Sequence, residues 1–139
     1  MKHYISTHLI KSEDLNHHGT LYAGRMAEWF VEGNFVAAAT LHGNPENIVC
    51  VKVHGMKFSG PATKGDIITL KTRVVYAGNT SLTVYGKVCK HDSDNILVDG
   101  FVTFVCVDKN GKKMSHNIVL PEPEDDEQRK LRETAKTLR

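Results

Sequence analysis

Long apolar runs are missing from this chain. Nothing in its 139 residues approaches the 18 or so consecutive apolar positions that a membrane span needs. The amino-terminal MKHYISTHLIKSED lacks the apolar core and small-residue cleavage site of a signal peptide, so a cytoplasmic protein with no membrane partner is expected. Cysteine is scarce as well. Cys50, Cys89 and Cys106 are odd in number, far apart and each in a strand-like run. That argues against a disulfide framework or a Cys-x-x-Cys metal site and leaves them as small core or sheet residues. Net charge is low: 18 Lys and Arg against 16 Asp and Glu give +2, too little to argue for nucleic acid. Repeats and low-complexity tracts are absent too, and the length suits one domain without room for a second catalytic unit.

What is present is an ordinary globular composition, 40% hydrophobic and 24% charged, organised around Asn16 to Leu41, NHHGTLYAGRMAEWFVEGNFVAAATL. A polar loop over Lys11 to Gly19 leads into a predicted helix of about 20 residues, with Thr20 as its expected cap. Met26, Phe30, Ala37 and Leu41 mark one apolar face and Trp29, Val36 and Ala39 another, which predicts a helix buried on two sides. Glu28, Glu32 and Asn34 are costly in such a setting. His42-Gly43-Asn44-Pro45 ends the pattern.

The rest reads as β. A first strand spans Tyr4 to Ile10, and four longer ones span Ile48 to Phe58, Asp66 to Ala77, Ser81 to His91 and Asn95 to Val107. Short connections between successive strands favour antiparallel pairing. Helix and strands both come to roughly 30 Å, so a long antiparallel sheet can wrap the helix along its length. One helix and five or six strands leave apolar surface uncovered, so a homodimer or dimer-based higher oligomer is expected. In residues 121–139 an acidic EPEDDE precedes a basic-rich QRKLRETAKTLR. This segment is expected as a charged tail or short exposed helix outside a single domain over residues 1–120.

Several separate motifs occur in order: Asn16-x-x-Gly19-Thr20-Leu21-Tyr22-Ala23-Gly24, Glu28-Trp29-Phe30-Val31-Glu32, Phe58 with Gly60-Pro61, Lys64-Gly65-Asp66, and Gly78-Asn79-Thr80-Ser81-Leu82. Together they resemble the hotdog-fold acyl-CoA thioesterases. The resemblance implies an α+β hotdog fold, one long central helix wrapped by a five- to six-stranded antiparallel sheet. It further implies paired subunits, an acyl-CoA substrate hydrolysed to free acid and CoA, and a site at the subunit interface. Relatives often carry a glycine where Ala23 stands, an aspartate where Val31 stands and a threonine where Cys50 stands.

Thioester hydrolysis needs a polarised carbonyl, a base or nucleophile, and a slot for the pantetheine and acyl arms. A helix start supplies the first through free N–H groups, and Gly24 would let the carbonyl approach, or would only permit tight packing. Glu32 is the candidate base or nucleophile; the alternative is a solvated stripe with Arg25 and Glu28. Glu32 lies about 12 Å along the helix from Gly24, so one carbonyl cannot touch both, and sharing between two subunits follows. The family motif puts Asn16 in the site, where its amide could hold water or the thioester oxygen; an Asx-turn is the alternative. Thr20 belongs to the same motif. Gly78, Asn79, Thr80 and Ser81 resemble the family turn near pantetheine and nucleotide, or form a plain hairpin turn. His17 and His18 read as solvent-facing, with no metal site and no cofactor beyond the CoA of the substrate. The alternative function is a non-catalytic acyl-CoA-binding or regulatory module of the same fold; a hydratase-like enzyme ranks third, since the helix has no suitably placed histidine.

Overall fold

The computed structural model describes residues 3–138. In chain order it holds β1 (Tyr4–Leu9), α1 (Ala23–His42), β2 (Ile48–Phe58), β3 (Ile67–Ala77), β4 (Ser81–Lys90), β5 (Ile96–Cys106) and α2 (Asp126–Thr137). All five strands pair antiparallel in one sheet, in the order β1-β3-β4-β5-β2. The expected long helix against an antiparallel sheet is therefore present, with five strands.

The start of α1 differs from expectation. Tyr22 is its cap residue, and no side chain caps the first turn. Thr20 cannot fill that role because it is held in extended pairing with Thr63, while Leu21 N–H donates to the Ala62 carbonyl at 2.8 Å. The chain must run two residues further before it can coil. At the other end Gly43 adopts φ 96° and its N–H closes on the Ala39 carbonyl, the left-handed stop that glycine permits.

The two expected faces of α1 are buried unevenly: on the second, Ala39 is buried and Trp29 packs on the core, but Val36 does not. Met26, Phe30, Ala37 and Ala38 join a core with Leu70, Val84 and Phe104, whereas Val36 and Leu41 are exposed. Of the three polar helix residues only Asn34 is buried; Glu28 and Glu32 face solvent. Asn34 Nδ2 donates to the Phe30 carbonyl at 2.7 Å, and its Oδ1 has no partner among the described residues. Helix and sheet approach closely at two glycines. A Cβ on Gly33 would lie 2.3 Å from Leu70 Cδ2, and one on Gly86 would lie 2.8 Å from Asn34 Nδ2 and 3.0 Å from Phe30 Cε1. Thr72 Oγ1 also donates to the Gly33 carbonyl at 3.1 Å, fastening helix to sheet.

The opposite face of the sheet is covered by α2. Leu131 and Ala135 pack on Val75, Tyr85 and Phe101, and Asp125 accepts the Gln128 N–H at 2.8 Å to start the helix. Glu127 stands 3.8 Å from Arg73 and 4.0 Å from Lys87. The segment expected as a solvated tail or exposed helix thus docks, because Leu131 and Ala135 fall one turn apart on one face; Arg139 lies outside the described residues. Both edges of the sheet carry exposed apolar residues: Val49, Val51 and Val53 on β2 are 42%, 52% and 43% exposed, and Ile5 and Leu9 on β1 are 61% and 54% exposed.

Gly86→Ala is expected to lower stability by about 1 to 3 kcal/mol, because the added methyl meets two fully buried side chains that have nowhere to go. Urea unfolding at equilibrium checks this: an unchanged midpoint would mean that α1 does not sit on β4 as described.

Candidate active site

The site is built from the loop that feeds α1. Asp14 is buried at 3% exposure; its carboxylate accepts the Lys11 N–H at 2.9 Å and meets Arg25 Nε at 3.2 Å. Its carbonyl accepts the Tyr22 N–H at 2.8 Å. These contacts tie both ends of the loop to the first turn of α1. Within the loop, Asn16 Oδ1 accepts the N–H groups of His18 at 2.8 Å and Thr20 at 3.2 Å, and Asn16 Nδ2 donates to Thr20 Oγ1 at 3.1 Å. Asn16 therefore forms the Asx-turn weighed as the alternative. A primary amide has two donors, so one N–H of Asn16 stays free for a ligand.

That amide borders a cavity of about 460 Å³, lined also by Thr20, Ala23, Ser59 and Gly60. Its deeper wall is apolar, made by Met26, Ala62, Ile68, Val88 and Val98, all buried. Among the described residues no ionisable side chain lines it. The uncapped start of α1 adjoins it through Ala23, with first-turn N–H groups bonded to no side chain and no acidic residue in that turn. Gly24 does not line the cavity. A Cβ there would lie 2.5 Å from the Tyr22 ring, so its missing side chain makes room for Tyr22.

Glu32 sits elsewhere, in a groove beside β1 with Ser6, His8, Trp29 and Thr72. His8 stacks on Trp29 at 4.3 Å and 11°. Burial holds the His8 imidazole below its ordinary pKa, opposed by the carboxylates of Glu32 and Asp14. Glu32 has no ion pair among the described residues, whereas Glu28 is held by Arg25 Nη1 at 3.6 Å. Each helical residue turns the side chain by about 100°, so Val31 faces away from that groove. Phe35, close to Val31 on the helical wheel, meets Phe104 of β5 edge-on, on the side of the sheet away from β1.

Gly78, Asn79, Thr80 and Ser81 lie at the far end of the sheet. Thr80 accepts the Cys106 N–H at 2.7 Å, and the turn is braced by His116, whose Nε2 is 2.9 Å from the Ser81 carbonyl and whose N–H donates to Asn79. The length of α1, about 30 Å, separates this turn from Asn16. Within one chain, then, Asn16 and Thr20 share a cavity, and Gly24, Glu32 and the 78–81 turn do not join them. Sequence reasoning missed Asp14 and the wall from Ser59 to Ala62. A single loop acid has no periodic signal, while Gly60-Pro61 was visible as a turn and a family motif without a role in the site.

The thioesterase superfamily matches residues 18–96, more than half the chain. This chain belongs to that superfamily. An acyl-CoA thioester hydrolase of Escherichia coli is 30% identical over 107 residues, covering 71% of this chain and 79% of the relative. A mouse cytosolic acyl coenzyme A thioester hydrolase is 27% identical over 88% of this chain, which spans only 33% of that longer protein. Among solved structures, an acyl-CoA hydrolase of Staphylococcus aureus in complex with butyryl coenzyme A superposes with a TM-score of 0.83 at 26% identity, covering 96% of this chain and 79% of the other. A hexameric acyl-CoA thioesterase gives 0.83 at 28%, covering 96% and 86%.

Within this thioesterase fold Asp14 is expected to matter more than its exposed neighbours. Asp14→Ala should cost about 1 to 3 kcal/mol by leaving the Lys11 N–H and Arg25 unpaired. Glu28→Ala, which removes only an exposed partner of Arg25, should cost under about 0.5 kcal/mol. Thermal unfolding of both variants separates them, and equal losses would show that the loop is not anchored through Asp14.

Proposed function

We propose that this chain is a cytoplasmic acyl-CoA thioesterase, releasing free carboxylic acid and CoA at sites shared between copies. The cavity beside the uncapped start of α1 carries the reading: a polar mouth with free N–H donors and an apolar interior match a thioester with its acyl arm. The carbonyl oxygen lies against the first-turn N–H groups, where the helix dipole favours the charge that develops on attack. Asn16 donates its free N–H to the same oxygen or to the attacking water. Water adds to the carbonyl carbon, and a carboxylate takes its proton. The tetrahedral intermediate then expels the CoA sulfur, which leaves as a thiol once protonated. No cofactor takes part.

The cavity has no base of its own, which supports a second copy as the source. Glu32 is the base we assign, since Glu28 is held by Arg25. Pairing along the exposed β2 edge turns the Val31 side of α1 toward the partner. Glu32, on the β1 side, is delivered instead where a further neighbour covers that groove, as assemblies larger than a dimer allow. The 78–81 turn would serve the CoA arm of a substrate held by another copy, because its own cavity is a helix length away.

Free-thiol release from a panel of acyl-CoAs tests the assignment. Glu32→Gln is expected to lower kcat by roughly 100-fold or more with KM little changed, and Glu28→Gln to leave it within about threefold. Mixed oligomers of Glu32→Gln and Asn16→Ala should recover part of the wild-type rate through intact composite sites. The reverse ranking of the two glutamates moves the base one turn along α1. Tight binding without turnover in wild type favours the non-catalytic module, a reading that Val31 keeps in view because it leaves the β2 side of the helix without a carboxylate.

A further inference from the structure

The lining of the cavity bears on which acyl groups the site can take, and the inference rests on the thioesterase reading above. Its polar groups, Asn16, Thr20 and Ser59, are all neutral and lie at the mouth. Its inner wall is hydrocarbon and one thioether: Met26 is 2% exposed, Ile68 and Val88 are 0%, and Val98 is 3%. Among all the lining residues there is no Lys, Arg or His that could pair with an anion and no Asp or Glu that could pair with a cation. A charged group brought to that wall loses its water and finds no counter-charge, a penalty far larger than the gain from burying a few methylenes.

We propose that this cavity is an acyl pocket selective for uncharged aliphatic acyl groups, that it rejects acyl groups ending in a carboxylate or ammonium, and that Met26 sets the longest chain it accepts. The thioester carbonyl sits at the Asn16 end and the chain runs inward along Ala62 and Ile68. Met26 belongs to the first turn of α1, so the helix that presents its N–H groups to the carbonyl also closes the pocket behind the chain. An unbranched thioether side chain fills such a position adaptably, and shortening it opens room that only a longer acyl chain can use. Ala62 offers the opposite lever, because a larger side chain there intrudes on the path of the acyl group.

The test compares wild type on two series of acyl-CoAs matched in length, one with saturated monocarboxylic acyl groups and one with the corresponding ω-carboxylated groups. Expected is a kcat/KM at least about 100-fold lower for each carboxylated substrate, expressed mainly in KM. Met26→Ala should raise kcat/KM about tenfold for chains two or three carbons beyond the wild-type limit, and Ala62→Leu should lower it progressively as the chain lengthens. If wild type cleaves no thioester, the thioesterase reading fails, and dissociation constants for the same two series then carry the comparison. Equal handling of carboxylated and plain acyl groups overturns the proposal while leaving hydrolysis intact. A uniform effect of Ala62→Leu across all lengths also overturns it, and needs no information from Met26→Ala should that variant fold poorly.

Discussion

Everything in this molecule depends on how closely α1 lies on its sheet. Gly33 over Leu70 and Gly86 under Phe30 and Asn34 remove the side chains that would hold the two apart. The gain is the complete burial of Phe30 and Met26, each side chain contributing about 1.5 to 3 kcal/mol. The position of the helix then dictates the rest. With its middle fixed over β3 and β4, its start comes to lie against the end of β2, and a cavity forms between Met26 and the strands below. One polar group is the cost of this seat: the Oδ1 of Asn34 is buried without a partner among the described residues. A conformation that keeps such an atom must recover the loss through the packing around it.

The same geometry separates charge from the cavity. Arg25 points back to Asp14 and Glu28, so its guanidinium is neutralised where it anchors the loop. The first turn carries no acid. What the cavity feels is the positive end of the helix and the amide of Asn16, both of which stabilise an oxyanion without themselves changing charge. A site of this kind polarises a carbonyl well and deprotonates water poorly. The proposed division of the two tasks between copies would resolve that conflict, because a carboxylate placed in the cavity of its own chain would oppose the field that binds the carbonyl.

Most of the fold was legible in the sequence because it rests on periodicity. Alternating Val, Ile and Thr gave four long strands within about a residue of their observed ends, and the glycine stop of α1 appeared where a left-handed residue was needed. The start of the helix was misread because Thr20 has the chemistry of a cap while the bridge to Thr63, 43 positions later in sequence, keeps it extended. The burial of α1 was overestimated for a related reason: Leu41 of one expected face and Val36 of the other are apolar by sequence and exposed in a single chain, and periodicity cannot tell a core from a surface awaiting a partner. For the site, Asn16 and Thr20 were named by motif, and both line one cavity. Asp14 was not found, since its role comes from a contact with Arg25 across a loop whose shape no local pattern encodes.

The carboxylate shows how much a single position on a helix decides. Relatives that the sequence resembles carry an aspartate where this chain has Val31, and the carboxylate here stands one residue later, at Glu32. One residue is a rise of about 1.5 Å and a rotation of about 100°. The rise is trivial for a side chain with rotatable bonds; the rotation is not, because it moves the acid from the side of α1 that carries Phe35 and meets Phe104 of β5 to the side that faces His8 and Trp29. The two positions therefore face different surroundings. If hydrolysis proceeds through Glu32, as proposed, the catalytic contact is made on the side of α1 beside His8 and Trp29, and activity should depend on an assembly that covers that side.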